Sequence, residues 1–304
     1  MPNLGIVVVT WNSARFMQDC LTSIPGPYHS QTIVIDNNSR DNTVELIRTG
    51  FPRVRLVIKP TNAGYARANN QGLAMLGIRD RGSGIGENPD NLQSSIFNLQ
   101  SSIVSQYVLL LNPDTRLPPN AISDMLAYME ANPAVGALAP KLVNSDGSPQ
   151  PSVRRFPTYR NMLPELLGLR GAYRMPGFDF NATQEVEQPM ASCLLFRREV
   201  FEQVGLFDEQ FPMYFNDVDL SRRIADAGWK TVYNPQVAVW HYRGGSTNQA
   251  RAKMIAAMHR GLFRYFAKHD RSGWFWLRAV PLAIVIQIVA LIRIIAWRVK
   301  LVRV

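Results

Sequence analysis

The sequence predicts an α/β protein with a doubly wound, mostly parallel sheet that is flanked by helices. Apolar runs of strand length alternate with helical patterns through the first half of the chain, and this alternation is typical of a parallel sheet. Each predicted strand ends in polar residues. Because ligands of layered α/β sheets bind outside the carboxyl ends of the strands, we expect a ligand site along that edge.

The predicted elements follow one another closely from the N-terminus. Apolar strands cover residues 4–10, 32–36, 54–58 and 107–112. Helical patterns lie between them: the first ends at Pro25, the second begins near Val44, and the third covers residues 65–76. A further apolar strand, over residues 237–240, lies in the C-terminal half of the chain.

Asp114 follows the apolar strand 107–112, within Asn112-Pro-Asp-Thr115. A carboxylate at the exposed tip of a buried strand suits a divalent cation that carries a diphosphate, since carboxylates and phosphates share Mg²⁺ or Mn²⁺ readily. The alternative is a turn at the strand end that the aspartate caps. Asp36 ends the second predicted strand in the same way.

Eight short motifs resemble those of the inverting family 2 glycosyltransferases of GT-A fold, in particular the bacterial members that are similar to rhamnosyltransferases. Each motif alone is a weak signal, but their order and spacing between residues 4 and 247 are specific. The motifs are Val7-Val-Val-Thr-Trp-Asn12, Val34-Ile-Asp-Asn-Asn-Ser39, Asn62-Ala-Gly-Tyr65 with Asn69-Asn70, Leu110-Leu-Asn-Pro-Asp-Thr115, Gly205-Leu-Phe-Asp-Glu209, Met213-Tyr-Phe-Asn-Asp-Val-Asp-Leu220, Ala227-Gly-Trp229 and His241-Tyr-Arg-Gly-Gly-Ser246.

The resemblance implies a sugar-nucleotide donor site and a metal site, with Mg²⁺ or Mn²⁺ as the cofactor. Asp36 matches the acidic position that binds the pyrimidine base, and Asp114 matches the last carboxylate of the Asp-X-Asp metal motif. His241 matches a histidine that completes the metal shell in relatives. The donor-binding residues implied by the resemblance are Thr10, Asn12, Asp36, Asn38, Gly64, Asn69, Asn112, Asp114 and Arg243.

Asn112 and His241 are the two residues of the implied metal site whose own chemistry leaves the assignment open. Asn112 stands at the first position of the metal motif, so its amide oxygen could ligate but brings no charge. A lone histidine after an apolar strand is more often a rim residue than a ligand. Arg243-Gly-Gly245 after His241 favours the site, because a glycine-rich basic loop lets backbone amides approach a diphosphate.

An inverting transfer also requires a base that takes the proton of the acceptor hydroxyl. The resemblance makes Asp217 the candidate, as the second member of a Glu-Asp pair whose first member is here Asn216. The start of a helix should lower its pKa, so we expect it to be ionised. Asp219 is the rival, and simple capping of a helix N-terminus is the alternative for both residues.

Composition indicates one large α/β domain with appendages. The chain has 304 residues and 46% hydrophobic content, which needs no second core. Two cysteines give no basis for a disulfide framework, so we expect a reducing compartment. The first strand starts almost at Met1, which predicts no signal segment. We expect a catalytic domain over residues 1–250, interrupted by a surface insertion at 79–106, and a helical tail over residues 251–304.

The predicted tail is both apolar and basic. From residue 268 onward seven lysines and arginines stand against Asp270 alone, around an apolar stretch at 279–292. Fourteen residues fall short of the roughly 20 that span a bilayer, so we expect the segment to lie in the cytoplasmic leaflet or to enter it partway. The alternatives are a helical hairpin broken at Pro281 that packs on the domain, or pairing with the tail of a second chain as a homodimer. Nucleic-acid binding is disfavoured, because it needs basic residues on a polar face, whereas these basic residues are interspersed in an apolar segment.

Together these observations predict a metal-dependent, inverting glycosyltransferase at the cytoplasmic face of the inner or plasma membrane. The expected donor is dTDP-rhamnose, or otherwise a UDP-sugar. The expected acceptor is a hydroxyl of a glycan, lipid-linked or polysaccharide, in the assembly of a cell-surface polysaccharide. The alternative is a non-catalytic protein of the same fold that binds sugar nucleotides or glycans. A nucleotidyltransferase is disfavoured, because residues 10–13 are not a glycine-rich phosphate loop.

Overall fold

The computed structural model describes residues 3–78, 105–166, 169, 171–211, 214–242 and 251–302. The strands within these ranges are β1 (Leu4–Thr10), β2 (Thr32–Asp36), β3 (Arg55–Ile58), β4 (Tyr107–Leu111), β5 (Thr115–Arg116), β6 (Val135–Val143), β7 (Val153–Arg154), β8 (Gln184–Glu185), β9 (Gln188–Pro189), β10 (Cys193–Arg197) and β11 (Lys230–His241). The α-helices are α1 (Ala14–Ser23), α2 (Thr43–Gly50), α3 (Tyr65–Met75), α4 (Ala121–Ala131), α5 (Tyr159–Leu166), α6 (Arg198–Val204), α7 (Asn216–Asp226), α8 (Arg251–His269) and α9 (Phe275–Val302).

The main sheet has the strand order β3-β2-β1-β4-β10-β6-β11-β5, with β8 paired to β11. The first four strands run parallel, and β10 inserts antiparallel between β4 and β6. The register sets Thr10 beside Asp36 at the ends of β1 and β2. The predicted α/β class is therefore confirmed, and the parallel half of the sheet carries Thr10 and Asp36 at its carboxyl edge.

Helices cover both faces of this sheet. Alternate residues of a strand point to opposite faces, so Ile6 and Val8 pack towards α1, α2 and α4, while Val7 packs towards α3 and α6. Gly72 of α3 lies directly on Val7, where an added Cβ would come within 2.4 Å of a valine methyl carbon. This close approach fixes α3 against β1 and places the start of α3 at the carboxyl edge of the sheet.

The local predictions agree closely with the structure. The first helix ends at Ser23, before Pro25, and the third strand begins at Arg55. The predicted insertion at 79–106 lies mostly outside the described residues. One detail of the hairpin alternative is wrong: α9 continues through Pro281, and the chain turns earlier, over residues 270–274.

The tail packs on the rest of the protein through α8 and one side of α9. A hydrophobic cluster joins Met162 of α5 and Val218 of α7 to Leu262 and Phe266 of α8 and to Leu282 of α9. Tail and domain thus share a core, as the hairpin alternative predicts. No helix in the described part of the chain is long and apolar enough to cross a membrane.

Candidate active site

A polar pocket lies where β1 and β2 end side by side. The side chains of Thr10, Asp36 and Asn37 are almost completely buried. Asp36 Oδ2 accepts the Ser39 N–H at 2.9 Å. Within the described residues, Asp36 Oδ1, Thr10 Oγ1 and Asn37 Oδ1 have no hydrogen-bond partner. Buried polar atoms are normally paired, so these three oxygens could accept hydrogen bonds from a ligand with N–H donors.

The loops around this pocket are tied to one another. The backbone N–H of Asn12 donates to Ser39 Oγ at 2.8 Å, and Asn12 Oδ1 accepts the Arg40 N–H at 2.8 Å. Both Asn12 and Asn38 have positive φ, at 49° and 67°, a conformation that asparagine tolerates better than most residues. Gly64, with φ of 86°, begins α3, and its carbonyl accepts Asn37 Nδ2 at 3.2 Å. The pocket wall is therefore held by three loops.

Asp114 and His241 form a second polar group at the same edge. His241 Nε2 lies 3.4 Å from Asp114 Oδ1, and the aspartate side chain is 16% exposed. The pairing of β5 with β11 holds the two segments together, with Thr115 opposite His241. The Tyr242 N–H donates to the Asp114 carbonyl at 2.8 Å. The motif residue Asp114 and the histidine thus meet although 127 positions separate them in the chain.

Gln150 fixes the ring of His241. Its Nε2 lies 2.6 Å from the His241 carbonyl, 2.8 Å from Asn144 Oδ1 and 3.3 Å from the Val143 carbonyl, so this end of the amide must be the donor. Gln150 Oε1 therefore accepts the proton of His241 Nδ1 at 2.9 Å. His241 Nε2 is then the unprotonated nitrogen, 3.3 Å from Ser192 Oγ and 3.4 Å from Asp114 Oδ1. A hydrogen bond at the opposite ring nitrogen is the arrangement of metal-binding histidines.

Asp114 and His241 are suited to a divalent cation. The histidine ring is oriented from behind, the carboxylate is partly open, and both groups are accepted metal ligands. Asn112 is turned differently: its Nδ2 donates to Ser192 Oγ at 3.3 Å. Across the described residues no group of three or more His, Cys, Asp and Glu side chains is arranged to hold a metal. Two protein ligands suit a cation that takes its other ligands from a diphosphate.

Asp217 lies in the first turn of α7, where its carboxyl accepts the Val218 N–H at 2.9 Å. Burial raises the pKa of this carboxyl, although the Val218 N–H and the charge of Arg154 oppose the shift. The expectation that the helix start would lower the pKa is therefore wrong, because desolvation outweighs the helix end. A carboxylate with a raised pKa is a stronger base than an exposed aspartate.

Asp219 is occupied by other groups. Its side chain is 0% exposed, Oδ2 accepts Arg223 Nε at 2.9 Å, and Oδ1 lies 2.8 Å from both Lys268 Nζ and His269 Nε2. Burial favours the neutral acid, but the hydrogen bond from His269 and the charges of Arg223 and Lys268 outweigh it and lower the pKa to about 2. Because both oxygens are engaged, the geometry favours Asp217 as the base over its rival.

Tyr65, at the start of α3, is near enough to Asp217 and Asp114 for the charges of both to act on its hydroxyl. Its hydroxyl donates to the Ala191 carbonyl at 3.1 Å. Burial, and then the negative charge of Asp217, raises the pKa of this phenol, and Asp114 acts in the same direction. Asn69 is 1% exposed and donates to the Tyr65 carbonyl at 2.9 Å. Asn69 is therefore buried and bonded within α3, and its role in donor binding stays a prediction.

The structure brings most of the predicted residues to one edge but leaves some out. Arg243 lies outside the described residues. Sequence reasoning missed three contributors: Gln150, Ser192 and His269. Gln150 and His269 carry no local signal, since only long-range packing gives them a partner. Ser192 does carry a local signal, because it is a small polar residue directly before the apolar strand β10. Asp114 was predicted from a signal of the same kind, a polar residue next to the end of an apolar strand.

The model of the family described as glycosyltransferase like family 2 matches residues 2–261. The chain belongs to this family. The N-acetylglucosaminyl-diphospho-decaprenol L-rhamnosyltransferase of Mycobacterium tuberculosis is 32% identical over 282 residues, which cover 90% of this chain and 86% of that protein. The rhamnosyltransferase WbbL of Escherichia coli K12 is 26% identical over 164 residues, 53% of this chain and 62% of that protein.

Solved structures confirm the fold of this family 2 glycosyltransferase. The mannosyltransferase PcManGT from Pyrobaculum calidifontis, solved with GDP-Man and Mn²⁺, aligns with a TM-score of 0.53 at 18% identity. The alignment covers 95% of this chain and 74% of that one. At this identity the similarity concerns the fold alone. The GT-A architecture and the family that the motifs predict are both confirmed.

Proposed function

We propose that this glycosyltransferase transfers a rhamnosyl group, with inversion, from a dTDP-sugar to a hydroxyl of a lipid-linked glycan. A UDP-sugar is the second choice of donor. The observation that carries the proposal is the pair of Asp114 and His241 at 3.4 Å, together with Tyr65, whose pKa is raised by the charges of both Asp217 and Asp114. The relative from M. tuberculosis, whose name specifies a diphospho-decaprenol acceptor and L-rhamnose, supports the choice of substrates.

The unpartnered oxygens of Thr10, Asp36 and Asn37 support a pyrimidine nucleotide. Thymine and uracil each present an N–H donor, and a buried carboxylate oxygen accepts such a bond strongly. The loop after β1, with Asn12, and the loop after β2, with Asn38, are hydrogen-bonded to each other beside this pocket. From there the carboxyl edge of the sheet leads to Asp114 at the end of β4, where the donor's diphosphate would lie.

In the proposed reaction, Asp217 accepts the proton of the acceptor hydroxyl. The resulting oxygen attacks the anomeric carbon from the face opposite the leaving group, and the bond between that carbon and the diphosphate breaks. The products are a nucleoside diphosphate and a glycoside of inverted configuration. Asp114 and His241 would hold Mg²⁺ or Mn²⁺, which supplies charge neutralisation to the diphosphate. Buried side chains around Asp217 exclude water that would compete with the acceptor.

The proposed acceptor is lipid-linked, and α9 offers a surface for a membrane. Residues Leu277, Ile284 and Ile288 are each more than half exposed, and they recur at helical spacing on the side of α9 that faces away from the buried Leu282 and Ile286. The basic residues of the tail favour anionic lipid. We therefore propose that α9 lies against the cytoplasmic leaflet, and that the 1–250 and 251–304 units form one structural body.

The membrane contact is tested by vesicle flotation. Wild-type protein should float with anionic vesicles, and an Ile284→Asp/Ile288→Asp variant should stay in the soluble fraction. Equal flotation of both proteins would contradict the proposal that this side of α9 contacts the membrane. A variant that also changes from dimer to monomer in light scattering would instead place a second chain on α9.

The reaction is tested by donor binding and transfer. Calorimetry with dTDP-rhamnose, UDP-glucose, UDP-N-acetylglucosamine and GDP-mannose, with Mn²⁺ or chelator, should give metal-dependent binding that is tightest for dTDP-rhamnose. Transfer to a polyprenyl-diphosphate-linked N-acetylglucosamine should then be followed by nucleotide release and by NMR of the new linkage. Asp217→Asn should bind donor and transfer nothing, whereas the control Asp226→Asn, on the same helix, should keep full activity.

The outcomes separate the proposal from its rival. Transfer by Asp217→Asn at the wild-type rate would remove Asp217 as the base. Tight donor binding by wild-type protein without transfer to any acceptor would favour the non-catalytic sugar-nucleotide binding protein. A product of retained configuration would reject inversion.

A further inference from the structure

The first turn of α7 carries two carboxylates with different surroundings. Two residues of helix correspond to a rotation of about 200°, so Asp217 and Asp219 point to nearly opposite sides. Asp219 meets the end of α8, whereas Asp217 lies near Tyr65 and Arg154. We propose that Lys268 and His269 are positioning residues, which hold the first turn of α7 so that Asp217 faces the acceptor hydroxyl. The inference rests on the proposed function, since it takes Asp217 as the base.

The contacts form a closed network at the end of α8. His269 Nε2 lies 2.8 Å from Asp219 Oδ1. Lys268 Nζ lies 2.8 Å from the same oxygen and 2.7 Å from Asp208 Oδ2. Arg223, one turn further along α7, completes the network through Asp219 Oδ2. The end of α8 is thereby bonded both to the segment before α7 and to its first turn.

The burial of this network makes it resist movement. Asp219 is 0% exposed and the Asp208 side chain is 6% exposed. Two carboxylates are matched by the cations of Lys268 and Arg223, and His269 donates one further hydrogen bond. Removing one partner from a buried ion pair leaves charge without compensation, which costs more than the pair contributed. A rotation of the first turn that displaced Asp217 would break these bonds.

Apolar packing acts on the same turn. Phe215, directly before α7, has a φ of 66°, a conformation that is strained for a bulky residue and persists only when its surroundings impose it. Gly261 of α8 packs directly against Phe215, since a Cβ added at Gly261 would lie 2.8 Å from the Phe215 ring. Tyr265, one turn further along α8, packs on the same ring with centroids 6.0 Å apart. Thus α8 imposes the conformation with which α7 begins.

The test compares variants at the two ends of α7. Lys268→Ala and His269→Ala remove bonds to its first turn, and His269→Gln keeps an N–H donor. Arg271→Ala is the matched control, since Arg271 Nη2 lies 3.7 Å from Asp226 Oδ2 at the far end of α7. In His269→Ala we expect kcat to fall about tenfold or more with donor Kd within about twofold of wild type. His269→Gln should recover most of this loss, and Arg271→Ala should match wild type.

Hydrogen exchange supplies a readout that does not depend on activity. Peptides over residues 214–220 should exchange faster in His269→Ala than in wild-type protein or Arg271→Ala. An unchanged kcat in both alanine variants of the α8 end, or equal losses in Arg271→Ala, would overturn the inference. If wild-type protein transfers no sugar, the proposed function fails by itself. In that case faster exchange in His269→Ala still supports the positioning contact, and unchanged exchange still rejects it.

Discussion

Replacing Asp219 by asparagine should destabilise the protein in a manner that depends on pH. The pKa of Asp219 is lowered from 3.8 to about 2 in the folded protein, which corresponds to about 2 to 3 kcal/mol of unfolding free energy at neutral pH. Because the folded pKa is depressed, this contribution is fully present above pH 4 and is lost as the pH falls towards 2. Full burial of the side chain means that solvent screening removes little of it.

The assay is urea denaturation followed by tryptophan fluorescence, at pH 7 and at pH 3. At pH 7 the Asp219→Asn variant should be less stable than wild type by about 2 to 3 kcal/mol, and at pH 3 the difference should fall to roughly half. Asp226→Asn is the control: Asp226 pairs with Arg222 at 2.9 Å but is 31% exposed, so its loss should stay below about 1 kcal/mol. Equal losses in the two variants, or a difference that does not change with pH, would refute the reasoning.

Three further changes test the site itself. Arg154→Ala should move the acidic limb of the kcat/KM profile to higher pH, because the charge of Arg154 lowers the pKa of Asp217. An unmoved limb would mean that the charge of Arg154 does not act on Asp217. Asp36→Ala should weaken nucleotide binding about 10- to 100-fold in calorimetry, and an unchanged Kd would exclude the base pocket. Gln150→Leu should weaken Mn²⁺ binding in the presence of nucleoside diphosphate by about 10- to 100-fold, and unchanged affinity would mean that His241 needs no orienting partner.

The parallel half of the fold could be predicted because its signals are local. Apolar strands alternate with helices from Leu4 onward, and each helix boundary has a nearby signal such as Pro25. The positions of Asp36 and Asp114 at strand ends follow from the same pattern, since parallel strands bring their carboxyl ends to one edge. The order of β10, β6 and β11 has no such signal, because pairing partners there are far apart in sequence.

The tail illustrates a prediction that sequence left open. Its apolar and basic composition suits a membrane surface, a partner chain or the domain itself, since all three accept apolar side chains. Packing decides part of the question: Leu282 and Ile286 are buried, whereas Ile284 and Ile288 remain exposed. One face of α9 therefore belongs to the core, and only the other is available to a lipid surface.

The sequence by itself determined the fold class, the family and the residue types at the ends of the strands, because periodicity and motif spacing are properties of the chain. The tertiary structure decided which of those residues lie in contact with one another. The choice between Asp217 and Asp219 depends on Lys268 and His269, some 50 residues away. The direction of the pKa shift at Asp217 depends on burial. Desolvation and charge pairing arise only when distant segments pack against one another, so spacing along the chain does not reveal them.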